Sequence, residues 1–506
     1  MIKKNQSGQT LSAGRTGLAR KMGLLGLAAT GICSMLGAAI NVIPFMIQRN
    51  VPGIGPFVLP AYLFAAVPAL LAAMAYAVLA SAMPRAGGSY VYASRALNPY
   101  LGFAASFSQW FGLSIAIGVV SYVLIPFLRD IASAAGWQVL ADTLDTGTVR
   151  LILALLFLWT FVLINLRGIR LYERTLVPLM FLMFALGGVV IIAGFSFNQQ
   201  EFAAAILQKE GRLISDAAAA AAPFRLTTYL AASALLFASF IGFDSIAQAG
   251  GEARNPGRTL PLAIAISVIT VGTFYILFTG AVYHAVPWTY IAEEAAKRDL
   301  TAPGLLGMLL SPGWTAAIVA GAAVALINDL PAMILAVSRL MFAWAEDGIF
   351  PGLAARVHRK WHTPHFAIVL SGIMASMGIL GSHLAGDFFL GVDILVTSML
   401  VNFLLMCLSV LMLPKRNPEL AGSITVIVSR RLQVSLAVFG TLILGGFLIV
   451  HILKDLSSDA GAWYFHSTPV WIIVMAAASA IYFWKVRKLK QSGTDVKAIF
   501  SKLPKE

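Results

Sequence analysis

The chain has 506 residues, 59% of them apolar and only 11% charged, with a mean hydropathy of +0.83. Soluble proteins carry about 25% charged residues, so a water-facing globule is excluded, as are disordered, coiled-coil and collagen-like chains. The net charge of +14 is scattered between apolar runs rather than gathered on one face, which argues against nucleic-acid binding. What remains is an all-α polytopic membrane protein.

A membrane-spanning helix needs about 20 mostly apolar residues. Twelve such runs follow one another at 23–47, 55–82, 101–128, 149–166, 175–195, 228–249, 260–284, 313–344, 365–383, 388–413, 433–453 and 468–485. An even number of spans puts both termini on one side. With that side cytoplasmic, 27 of the 36 Lys and Arg fall inside and nine outside, as the positive-inside rule requires. The predicted organisation is a cytoplasmic tail at 1–22, a five-helix unit at 23–195, an extracellular loop at 196–227, a second five-helix unit at 228–413, helices 11 and 12 at 414–486 and a basic cytoplasmic tail at 487–506. That tail would rest near anionic lipid headgroups. A short amphipathic helix is expected in the loop 196–227, and a solvated mixed-charge helix around Glu293, Glu294, Lys297, Arg298 and Asp299.

Two spans look interrupted. Span 1 contains GICSMLGAAIN at 31–41, and span 6 contains FASFIGFDS at 237–245. Backbone released from helical bonding costs several kcal/mol per unpaired group in lipid, so it is tolerated only where it lines a cavity or binds a solute. The two breaks are five helices apart, an odd number, so the second unit enters the membrane inverted, and matched breaks of this kind point to a midplane binding site. Freed N–H groups suit a carboxylate and freed carbonyls suit an ammonium. An α-amino acid carries both.

Four ordered segments carry a family resemblance: LGAAI at 36–40; PRAGGSYVY at 84–92 with PYLGF at 99–103; FIGFDSIAQAGGEARNPGRTLP at 240–261; and Ser338-Arg339 through Glu346-Asp347-Gly348-Ile349-Phe350-Pro351, with Thr363-Pro364 beyond. Together they resemble the amino acid permeases of the amino acid–polyamine–organocation superfamily. The resemblance implies a 5+5 inverted-repeat fold of twelve helices, with helices 1 and 6 broken and two helices peripheral. It also implies alternating access, with helices 1, 3, 6, 8 and 10 around the solute. The function it implies is a secondary transporter for an amino acid in the plasma (inner) membrane; an amine or polyamine carrier or an exchanger is the alternative.

On that reading Ser34, Met35, Leu36, Gly37 and Ala38 hold the carboxylate, while Ala238, Ser239, Ile241 and Gly242 offer carbonyls to the amino group and Phe243 forms a wall. Two departures from the family pattern stand out. The glycine-rich GSG element reads Gly37-Ala38-Ala39, and the helix 5 lysine of several proton-coupled relatives is replaced by Met183. Either coupling then uses another group, or the carrier exchanges solutes, or sodium neutralises the site. A carboxylate at bilayer depth is costly unless paired or wet, which makes Asp244 a candidate for gating or helix capping and Asp329 a candidate to pair a cationic substrate or to titrate for proton coupling. Asp329 precedes Pro331, which is expected to interrupt span 8; Asp393 is expected at the outer mouth.

No metal site or cofactor is expected, since the seven histidines form no ligand pattern. Nor is an enzyme expected, because no cluster of catalytic acids and histidines lies at a membrane face. No GxxxxGK[ST] motif is present, so energy would come from gradients or exchange.

Overall fold

The computed structural model describes residues 17–214, 223–385, 388–458, 463–493 and 495–504. Among the described residues there is no strand, only helices joined by turns and two isolated bridges. Inside a bilayer each backbone N–H and C=O must find its partner within the protein, and a helix does this within one segment. Eleven stretches among the described residues are long and apolar enough to cross a membrane.

The first stretch is split into α1 (Leu24–Met35) and α2 (Ala38–Asn50). α3 (Val58–Ala82) leads through the short α4 (Gly88–Ala96) to α5 (Pro99–Ala134). The Asn98 side chain accepts the Leu101 N–H at 2.8 Å and Pro99 stands at the first helical position, a combination that starts helices sharply. Beyond the short α6 (Gln138–Asp145) come α7 (Gly147–Leu166) and α8 (Ile169–Ser196).

The loop expected to hold an amphipathic helix contains α9 (Gln199–Glu210), with an Asn198–Glu201 capping box; residues 215–222 lie outside the described residues. Next come α10 (Leu226–Leu236), α11 (Asp244–Gln248) and α12 (Pro256–Ala285). The mixed-charge segment forms α13 (Trp288–Lys297). It is less solvated than its composition implies, since Glu294 is buried against Arg212, Lys297 and Arg298. α14 (Ala302–Leu306), α15 (Pro312–Glu346), α16 (His365–Ala385), α17 (Phe388–Arg416), α18 (Pro418–Gly422), α19 (Arg430–Leu456), α20 (Ser467–Gln491) and α21 (Val496–Ser501) complete the chain.

The interruption expected in the run at 228–249 is present: α10 gives way to a 3-10 turn at Phe237–Phe240 and a non-helical turn before α11. α15, by contrast, is continuous through Pro331, so the expected interruption of span 8 is absent. A proline frees the carbonyl four residues before it, here that of Ile327, and a membrane helix tolerates this where it is packed inside protein, as α15 is around the buried Pro331.

The long α5 runs through the core, packing on α15, α16 and α17, while α12 packs on α1, α3 and α8. α19 and α20 lie outside and expose Leu442, Ile449, Ile473 and Trp484. Such surface is a liability in water and natural against lipid.

Candidate functional site

The two interrupted spans meet. In span 1 the helical ladder stops where the Leu36 N–H bonds the Ile32 carbonyl at 2.8 Å. Gly37 then takes a non-helical conformation (φ −99°, ψ −137°), and α2 starts with no side chain capping its first amides. The first amides of a helix have no acceptor within it and stand at the positive end of its dipole. In span 6, the Ile241 N–H bonds the Ala238 carbonyl at 3.2 Å and the Gly242 N–H turns to the Asp244 carboxylate at 3.1 Å. The ladder resumes only at the Gly242 carbonyl, which accepts Ser245 N–H at 3.0 Å. The carbonyls of Ser239, Phe240 and Ile241 fall outside it.

Gly242 is required at this crossing for two reasons. Its φ is +137°, a region essentially reserved for glycine, and a Cβ there would run into the Ser34 carbonyl. The Ser34 and Ser245 hydroxyls bond at 3.0 Å, and the Tyr275 hydroxyl of α12 donates to the Met35 carbonyl.

A cavity of about 60 Å³ opens beside this crossing. Ser34, Met35, Gly37, Ala238, Ile241 and Asp329 line it, and α2, α5, α15 and α17 supply Ile43, Ala116, Val119, Val120, Met333, Gly391, Val392 and Leu395. Six of the residues singled out in the sequence are therefore brought together. Gly242 stands at the crossing itself. Leu36 and Met183 line a separate, smaller hollow between α2, α8, α12 and α15. Ser239 is fully buried and does not line the cavity. Phe243 stacks on Phe403 and meets Tyr76 edge-on, away from the cavity. Asp244 accepts from Gln109 of α5 and holds the Gly242 turn. Ala38 begins α2, and its side chain lies outside the described residues. Asp393 is partly accounted for by α19, where His451 lies 3.2 Å from its carbonyl.

The apolar lining from α5 and α17 was not foreseen residue by residue, because these helices are apolar all round and show no stripe to identify the inward face.

Toward one face the cavity neighbours a larger vestibule of about 480 Å³, and Val119 lines both. Arg49, Arg129, Arg150, Asp130 and Asp299 ring the vestibule, with Arg49 and Asp299 paired at 2.9 Å and the Arg150 guanidinium stacked 3.9 Å over Tyr122. The opposite face is shut. Arg339 pairs with Glu252 at 2.6 Å, both 1% exposed, and Arg95 grips Asp347 bidentately at 2.5 and 2.9 Å. Met22 bridges Ala253, and Gly87 N–H bonds the Gln248 carbonyl at 3.2 Å. The C-terminal segment packs here too: Arg95 Nε donates to the Lys502 carbonyl at 3.1 Å, with Phe500 against Tyr90. Three of the four sequence segments quoted above thus converge on one sealed face. In the sequence Arg339 stands out only as part of a family segment, although a cation inside an apolar run is itself the signal that it needs a buried partner.

The chain matches the family model described as amino acid permease over residues 22–478. The chain belongs to the amino acid permease family. It is 25% identical over 502 residues to the branched-chain amino acid permease BcaP of Bacillus subtilis, covering 95% of this chain and 96% of that protein. It is also 27% identical over 381 residues to cationic amino acid transporter 4 of Homo sapiens, covering 71% of this chain and 55% of that protein. Its counterpart in Mus musculus is 27% identical over 384 residues, with 72% and 56% covered. This permease is a membrane transporter of amino acids and not an enzyme.

Proposed function

We propose that this permease carries an α-amino acid across the plasma membrane by alternating access, gripping it between the α1–α2 break and the Ala238–Ile241 turn. The carboxylate docks on the uncapped amides of α2 beside Gly37, with Ser34 adding a hydroxyl, and the ammonium faces the carbonyls that follow Ala238. The cavity beside these two ends carries the reading: five spans close round it, and all but a few of its lining side chains are apolar. Such a lining favours a neutral, apolar side chain, in keeping with the branched-chain permease among the relatives.

The fold proposed is the twelve-span inverted repeat. Spans 3, 4 and 5 are 36, 20 and 28 residues long, and spans 8, 9 and 10, five places on, are 35, 21 and 29. The breaks of spans 1 and 6 keep the same offset. With both termini cytoplasmic, the vestibule faces outward and the ion-paired face is the closed inner gate. Crossing to the inward state then requires parting Arg339 from Glu252 and Arg95 from Asp347.

A cationic substrate is the second reading, supported by Asp329 in the cavity wall and by the cationic transporters among the relatives. Radiolabelled uptake into proteoliposomes, competed by each of the twenty amino acids under imposed proton or sodium gradients, tests both. Competition by neutral apolar amino acids is expected. Competition by none of the twenty would refute transport of amino acids, and competition by cationic ones alone would select the second reading.

A further inference from the structure

Among the described residues Asp329 is a carboxylate without a counter-charge. It lines the cavity, is 5% exposed, and has one oxygen buried with no hydrogen-bond partner. Its neighbour Asn328 does not help, since that amide donates to Cys33 Sγ at 2.8 Å. The titratable groups within electrostatic reach are Cys33 on α1 and Tyr275 on α12, both uncharged at neutral pH. The cavity residues contributed by α2, α5, α17 and the span 6 turn include no titratable side chain. On other packed helices, α7 offers the neutral Asn165 to this stretch of α15 and α8 the neutral Met183 near it; on α4 and α11, Arg95 and Asp244 are engaged by Asp347 and Gln109, α14 has no titratable residue, and the histidines of α16, His365 and His383, stand at its two ends. No Lys, Arg or His lines the cavity among the described residues.

The position of Asp329 matters more than its isolation. A Cβ on Gly37 would overlap the Asp329 carboxylate, so the acid lies directly against the residue that opens α2. On the substrate placement proposed above, which this inference rests on, the carboxylate of the amino acid docks at that same helix start. Two ionised carboxylates side by side in an apolar cavity, with no cation between them, do not both stay charged; such a pair holds a proton.

We propose that Asp329 is the carrier of a co-transported proton: it takes up one proton from the vestibule when the amino acid binds and gives it up to water on the other side when the amino acid leaves. The proton adds to a carboxylate oxygen and departs from it, with no other bond changed. Substrate and proton bind together because the substrate's own charge makes the ionised form of Asp329 unfavourable. The loaded carrier then differs from the empty one by one positive charge, so transport is proton-driven and electrogenic.

The test uses the full chain in liposomes holding the pH dye pyranine, with the membrane potential clamped and radiolabelled leucine and alanine as neutral probes, lysine as a cationic one. Wild type is expected to acidify the lumen as neutral label enters. With the lumen one pH unit more alkaline, it should accumulate label toward about tenfold. Asp329→Asn, a mimic of the protonated acid, should still exchange label for unlabelled amino acid, with no acidification and no accumulation above onefold. Wild-type exchange should weaken as pH rises, and D329N exchange should be flat. Where D329N cannot exchange, Asp329→Glu serves instead: acidification by D329E is expected, and a D329E that exchanges without acidifying overturns the proposal. Neutral label entering wild type without acidification also overturns it, as does acidification by D329N. Transport of lysine alone, abolished in D329N, makes Asp329 a counter-ion to the side chain and overturns it too. Failure of all three probes in wild type strikes instead at the substrate placement and at this inference with it.

Discussion

The two ends of the permease solve opposite problems with different chemistry. The sealed face buries full charges, Arg339 with Glu252 and Arg95 with Asp347, each pair almost wholly out of water. The central cavity has, among the described residues, a single ionisable side chain, Asp329, and lies beside the backbone breaks at Gly37 and Ala238–Gly242. A buried ion pair is expensive to desolvate and contributes little net stability against an apolar substitute, but losing one partner costs a great deal. On the proposed cycle that is the behaviour expected of a latch. On the proposed placement, backbone amides and carbonyls hold an α-amino acid by its constant part and leave selection to the apolar wall.

This contrast can be broken at several points. The largest effect is expected at the latch: Arg339→Ala or Glu252→Gln leaves a buried charge or polar group unmatched and should cost about 3–5 kcal/mol, read as a lower thermal unfolding midpoint in detergent. Arg339→Met combined with Glu252→Leu should recover much of that stability. Two single mutants at wild-type stability would show that the pair does not hold the face shut.

Next comes the crossing. Gly242→Ala combines a strained φ with a clash against the Ser34 carbonyl, about 1–3 kcal/mol of strain. A fall in uptake of roughly ten- to a hundredfold is expected by the usual conversion of about 1.4 kcal/mol per decade. Gly446→Ala, on α19 with open space around it, should transport normally. Equal activity in the two would remove the crossing from the mechanism.

A sharper comparison sets two neighbours in span 6 against each other. Ala238 faces the cavity, whereas Phe243 lies in the aromatic stack with Phe403 and Tyr76. Ala238→Phe should raise the apparent KM most for amino acids with large side chains, and Phe243→Leu should lower stability by about 1 kcal/mol with the competition profile unchanged. The reverse pattern would put Phe243 in the wall.

The smallest effect belongs to the vestibule side. Burial pushes the Glu294 carboxyl up, but hydrogen bonds and charge from Arg212, Lys297 and Arg298 outweigh it and hold the group below its ordinary range. A depressed carboxyl contributes stability above its ordinary pKa and loses that contribution as pH falls through the lowered value. Wild type should therefore exceed Glu294→Gln in unfolding midpoint at neutral pH, with the difference vanishing below about pH 4. A constant difference across that range would argue against the ion pairs.

Much of the fold was legible because lipid leaves few options: long apolar runs must be helices, and their ends fell within a few residues of α3, α7, α12 and α16. The breaks were legible for the same reason, since Gly37 and Gly242 with small polar neighbours have no purpose in an uninterrupted lipid-facing helix. Pro331 misled because α15, buried on all sides at that level, stays continuous through it. The cavity wall was illegible in Ala116, Val119 and Val120, since a helix apolar on every side does not disclose its inner face. Phe243 and Met183 were placed at the site by position in the chain, and the turn after Gly242 and the rotation of α8 carry their side chains elsewhere.

The most direct test is a cryo-electron microscopy map of the full-length permease in nanodiscs, saturated with the amino acid that competes best for uptake. Density is expected between the start of α2 at Gly37 and the Ala238–Ile241 turn, with its carboxylate end against Gly37. A map with this cavity empty and the amino acid held only among Arg49, Arg129 and Arg150 would contradict the two-ended grip.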